Sequence, residues 1–164
     1  MHARGFTLIE MMVVVVILAV MAATVALSLA GAGGERQLER DAQRLRALVS
    51  YACERAELTG RPIGLSLLAS GFVFSEHLRT EWKPLADGEL RPRKWTTGAI
   101  AHLSRDGVAV AVGTSAPDEP QLACFSSGEL TPFRLDLALV DHADGWRLEG
   151  TPDGALTLDH RDAR

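Results

Sequence analysis

The chain has 164 residues, a formal net charge of −4 and two cysteines. Its acids and bases are interspersed, so it has no basic field to draw nucleic acid, and no nucleic-acid partner is expected. An apolar stretch of membrane length takes up the start, which leaves chain for one small domain with its own core and excludes a second.

That stretch, Leu8 to Ala30, would form a helix of roughly 35 Å at 1.5 Å per residue, enough to cross a hydrocarbon core. Glu10 lies inside it. An ionised side chain in hydrocarbon is costly, less so near the interface, so a carboxylate there is read as functional. Arg4, Gly5 and Phe6 stand just ahead. The single arginine favours a cytoplasmic N-terminus, which puts the bulk of the chain in the periplasm. A secretory signal cleaved after Ser28-Leu29-Ala30 fits less well, because the run is too long and Glu10 interrupts it.

The segment Arg4-Gly5-Phe6-Thr7-Leu8-Ile9-Glu10 resembles the leader of the type IV pilin-like family, the pilins and pseudopilins. The resemblance implies cleavage by a prepilin peptidase between Gly5 and Phe6 and N-methylation of Phe6 by the same peptidase/methyltransferase. It also implies an ion pair between Glu10 and a Phe6 amine, of the same subunit or a neighbour. Glycine suits the cleavage position because no side chain obstructs the enzyme's approach to the backbone. The expected organisation is a cytoplasmic leader at 1–5, a transmembrane and filament-core helix at 6–30, an amphipathic continuation at 31–60 and a periplasmic β-rich head at 61–164.

Along the chain, Gly31-Ala32-Gly33-Gly34 offers a place for a helix to bend, since glycine is a poor helix former. It is no phosphate loop, lacking a strand before it and a Lys-Ser or Lys-Thr after it. From Glu35, Leu38, Ala42, Leu45, Leu48, Val49, Ala52, Cys53 and Ala56 recur at spacings of three and four. They predict a helix with one apolar stripe, packed on the protein's own sheet rather than serving as an oligomer seam. Gly60 and Pro62 end it. Cys53 lies on this helix and Cys124 in a predicted strand. Disulfides persist in the periplasm, but sequence does not say whether these two approach, and two buried small apolar residues is the favoured reading.

Strand periodicity begins after Pro62. Ile63 to Leu68 and Phe72 to Ser75 flank Ala69-Ser70-Gly71 as a hairpin. Thr80 to Trp95 reads as a turn-rich connection with short strands at best, whose two tryptophans cover the domain or, less expectedly, form a stacking platform. Asp106-Gly107 turns into Val108 to Val112, and Gly113 to Pro120 is an exposed loop. Gln121 to Phe125, Phe133 to Val140, Trp146 to Glu149 and Ala155 to Asp159 are strands joined by turns, with residues from His160 onward frayed. The fold class is α+β: a long hydrophobic helix packed on an antiparallel sheet or sandwich.

Phe125 to Leu135, Phe-Ser-Ser-Gly-Glu-Leu-Thr-Pro-Phe-Arg-Leu, together with Arg61 to Leu65, Gly71 to Phe74 and Trp82 to Leu85, resembles the H-type minor pseudopilins of type II secretion. That family's partners are the major pseudopilin, other minor pseudopilins and the inner membrane. In such an assembly the subunit helps to drive folded proteins across the outer membrane. The alternative is a type IV pilus minor pilin with a DNA-uptake or adhesion role, which shares the leader. No catalytic residue, cofactor or metal ligand is expected: there is no Gly-x-Ser-x-Gly, His-Glu-x-x-His or Cys-x-x-Cys, and no dense run of Asp and Asn. His77, His102, His142 and His160 read as scattered surface histidines, and a membrane-tethered enzyme has no residue-level support.

Overall fold

A computed structural model describes residues 8–142 and 144–162, apart from the side chains of residues 24–32. It contains one long helix, α1 (Leu8–Thr59), whose backbone stays helical through residues 31–34, where the sequence suggested a bend. Contacts divide the chain into two units, Met1–Gly34 and Glu35–Arg164. Gly60, at φ 67°, takes the left-handed conformation that ends a helix without a Cβ penalty.

In the second unit the strands are β1 (Ile63–Leu68), β2 (Gly71–Leu78), β3 (Glu81–Pro84), β4 (Arg93–Lys94), β5 (Ala99–Arg105), β6 (Val108–Val110), β7 (Leu122–Cys124), β8 (Phe133–Leu139), β9 (Gly145–Gly150) and β10 (Leu156–Arg161). They form two antiparallel sheets. One has the order β3-β2-β1-β7, with β4 also paired to β2, and the other has the order β10-β9-β8-β5-β6. The β1–β2 hairpin closes on the two-residue loop Ala69-Ser70, since Leu68 pairs with Gly71.

Three strand expectations need correction. β5 falls in a stretch with no strand expectation, β6 ends at Val110 rather than Val112, and β10 runs through His160 and Arg161, read as frayed. The last of these is held by pairing, with His160 opposite Trp146 and Arg161 opposite Gly145.

The apolar stripe of α1 and the inner faces of both sheets make one core, in which Leu45, Leu67, Leu135 and Leu148 are fully buried. Along β8 the apolar residues Phe133, Leu135, Leu137 and Leu139 are buried, while Arg134 and Asp136 face outward. There they pair directly across to β9, Arg134 Nε with Glu149 at 2.6 Å and Arg147 with both Asp136 oxygens at 2.7 and 3.1 Å. Those hydrogen bonds to Asp136 raise the Arg147 pKa above its usual value, against the opposing effect of desolvation.

One buried charge ties the helix to a loop. Asp41 is 4% exposed, accepts a 2.7 Å hydrogen bond from the Thr96 amide and lies 3.8 Å from Arg44. A carboxylate that accepts a buried amide proton is a stronger partner than a neutral group. Asp41→Ala is expected to cost about 1.5–3 kcal/mol, read as a lower denaturant midpoint at constant slope; an unchanged midpoint would mean that the hydrogen bond is idle.

Candidate functional site

In the first unit, the described apolar side chains from Leu8 to Met21 are exposed on every side of the helix, from Val14 at 42% to Leu8 at 79%. A helix that is apolar all round belongs in a membrane or a helical core. Among the described residues no helix is long and apolar enough to cross a membrane, and the described side chains of the Leu8 to Ala30 run stop at residue 23. Glu10 lies in the first turn of α1 and is exposed. Gly5 and Phe6, the expected processing residues, lie outside the described residues.

The second unit is fastened around the segment that carried the second resemblance. Cys53 of α1 and Cys124 of β7 form a disulfide, with Cα atoms 4.9 Å apart. The favoured sequence reading, two unbridged apolar residues, is therefore corrected: helix and strand pack face to face, which brings together residues 71 apart in the chain. Just beyond, the turn Phe125 to Glu129 closes through Phe125 N–H to Glu129 C=O at 2.8 Å and Gly128 N–H to Phe125 C=O at 3.1 Å. Leu130 is buried and its amide donates to the Pro152 carbonyl at 3.1 Å. The Thr131 hydroxyl accepts from the Ala123 amide at 3.1 Å and lies 3.3 Å from the Ala123 carbonyl as a donor. Gly-Glu-Leu-Thr-Pro thus joins β7, β8 and the β9–β10 turn, a structural rather than a chemical role.

Histidines expected to be scattered are partly gathered. His142 and His160 line one small cavity of about 140 Å³ with Glu35, Asp144 and Trp146. His142 Nε2 is 3.8 Å from Glu35, and His160 Nδ1 is 2.9 Å from Asp162, with its ring 5.2 Å from that of Trp146. Asp141, Asp144 and Asp159 do not form a ligand set: among the described residues no group of three or more His, Cys, Asp or Glu could hold a metal ion. Trp95 is the covering tryptophan that the sequence suggested, its indole N–H donating to Leu68 C=O at 3.0 Å and its ring 4.9 Å from that of Phe72.

Residues 1–26 match the prokaryotic N-terminal methylation motif. The type II secretion system protein H of Pseudomonas aeruginosa is 35% identical over 164 residues, covering 89% of this chain and 94% of that protein. The protein of the same name from Aeromonas hydrophila is 29% identical, covering 84% of this chain and 81% of its own length. Among solved structures, the minor pseudopilin EpsH from the type II secretion system of Vibrio cholerae has a TM-score of 0.64 at 21% identity, covering 79% of this chain and 99% of that one, a likeness of fold. The solution structure of Escherichia coli GspH has a TM-score of 0.60 at 25% identity, covering 79% and 91%. With a relative of this identity along almost its whole length, the chain belongs to the type II secretion system protein H family, the minor pseudopilins that Phe125 to Leu135 resembles.

Proposed function

We propose that this chain is made as an inner-membrane precursor with its N-terminus in the cytoplasm and its head in the periplasm. A prepilin peptidase cuts it between Gly5 and Phe6 and methylates Phe6, and the mature helix then leaves the membrane for the core of a short periplasmic filament. The observation that carries this reading is the helix from Leu8 to Met21, apolar and exposed on all sides, with Glu10 at its start. Such a surface needs cover, from lipid before assembly and from neighbouring helices afterwards.

In the filament, Glu10 and a Phe6 amine fix the axial register, because any other register leaves a charge unpaired among apolar side chains. The head contacts the major pseudopilin on one side and other minor pseudopilins on the other, and the assembly pushes folded substrates outward. The disulfide fits a head in an oxidising compartment. The shared family favours secretion over the type IV pilus reading.

Deleting this chain from its host is expected to trap folded exoproteins in the periplasm, with export restored by a plasmid copy. Normal export with loss of DNA uptake or of surface adhesion would instead make it a pilus subunit.

A further inference from the structure

Ser66 of β1 and Ser75 of β2 lie on the outer face of their sheet, since their neighbours Leu65, Leu67 and Phe74 fill the core. Ser66 is opposite Val73 and Ser75 opposite Gly64, so the two are diagonal neighbours with Cβ atoms roughly 7 Å apart. Both are buried, at 3% and 8% exposure. No hydrogen bond joins either hydroxyl to another described residue, and neither oxygen is sealed from solvent, so both remain open to a bound group. Both line a cavity of about 600 Å³, bounded on one side by Trp82 of β3 and on the other by Pro117, Asp118 and Glu119. That volume is within the range of small-molecule sites.

The walls are held in place. A Cβ on Gly64 would collide with Pro120 Cγ and come within 3.0 Å of Trp82 Cζ3, so proline and indole rest against bare backbone. The Trp82 ring meets the His77 ring edge to face at 4.9 Å between centroids. Gly64 therefore has a packing role that allows Trp82 to stand as a wall.

The groups presented define the ligand. The floor offers two hydroxyls that donate and accept, the rim adds the Thr80 hydroxyl, the His77 ring and the carboxylates of Asp118, Glu119 and Glu81, the last paired with Lys83, and no lysine or arginine lines the cavity itself. An anion such as phosphate, nucleic acid or an acidic peptide is disfavoured there. A peptide strand finds no ladder on the floor, because the backbone groups of β1 and β2 are engaged with neighbouring strands. A pyranose supplies what the site lacks: hydroxyl donors for the carboxylates, donors and acceptors for the serines, and a flat C–H face for the indole. We propose that this cavity is a glycan-binding site, with Trp82 as the stacking wall and Ser66 and Ser75 as its hydrogen-bonding floor.

The test is calorimetric titration of the full chain, in a detergent without a sugar headgroup, with triacetylchitotriose, maltotriose and tetralysine, alongside tryptophan fluorescence, with the Trp82→Ala variant assigning the change to Trp82. Either trisaccharide is expected to bind with saturation and to perturb the fluorescence, and the better of the two tells an N-acetylated cell-wall type of glycan from a plain glucan. Trp82→Ala should abolish binding. The double variant Ser66→Ala with Ser75→Ala should weaken it at least tenfold while keeping or raising the melting temperature, because the hydroxyls hold nothing in the fold. Failure of both sugars to bind, binding of tetralysine alone, or a fall in melting temperature for the serine variant would overturn the proposal.

Discussion

Reduction of the Cys53–Cys124 bridge is expected to lower the melting temperature of the head by about 10–15 °C. The bridge closes a loop of 71 residues. The chain-entropy estimate for a loop of that size is about 4 kcal/mol, and for a unit of roughly 130 residues each kcal/mol moves the midpoint by about 3–4 °C. The three tryptophans, Trp82, Trp95 and Trp146, all lie in the second unit, so indole fluorescence follows the head and ignores the apolar helix. The double variant Cys53→Ala with Cys124→Ala should melt at or slightly below the reduced protein, since it also loses two buried sulfur atoms. A midpoint that does not move after reduction, with both thiols then shown by labelling to be free, would mean that helix and strand need no staple.

Glu10→Ala is expected to yield a chain that is cleaved, methylated and folded but absent from filaments, with export reduced at least tenfold. The substitution leaves the head untouched and removes one charge near the start of α1. On the pairing proposed above, it leaves the Phe6 amine unpaired in an apolar bundle. Breaking one partner of a buried ion pair costs about 3–5 kcal/mol, which is on the order of a hundredfold or more in an assembly equilibrium. Glu10→Asp should recover part of the function, since it keeps the charge on a shorter arm. The measurement is cross-linking of sheared filaments, with the membrane fraction as control. Full incorporation of Glu10→Ala would remove the register role.

The parts of this fold that sequence revealed are those whose signal is local. The eight stripe residues from Leu38 to Ala56 recur at helical spacing, and all eight are buried in the core. β8 alternates apolar and polar residues because one face is buried and the other carries the ion pairs to β9. β5 escaped notice because, although its burial alternates, two of its inward residues are the small Ala99 and Ala101 while the apolar Ile100 points outward, so the sequence carries little apolar–polar alternation. Asp41 was legible in principle: it stands three residues after Leu38 and four before Leu45, a polar residue at a stripe position. Its charge argued for solvent, and its partner, Thr96, is 55 residues away.

The same distance in sequence hid the sites. Cys53 and Cys124 are brought together by the packing of helix on sheet, and the cavity over Ser66 and Ser75 exists because β3 and residues 116–119 border one patch of the outer face. Trp82 and Trp95 look alike as loop tryptophans. Trp95 caps the core and donates to Leu68, whereas Trp82 lies against Gly64 and borders the cavity. The N-terminal signature was the reverse case: seven consecutive residues, Arg4 to Glu10, carried the resemblance, and residues 1–26 match the methylation motif, a signal that is linear and needs no packing to be read.

The most direct measurement is the mass of the N-terminal peptide from membrane-extracted protein, in cells with and without the prepilin peptidase. A chain that begins at N-methylated Phe6 in the first and at Met1 in the second is the predicted result. An intact Met1 in both, or a mature chain that begins at Gly31 after loss of the apolar helix, would contradict the account.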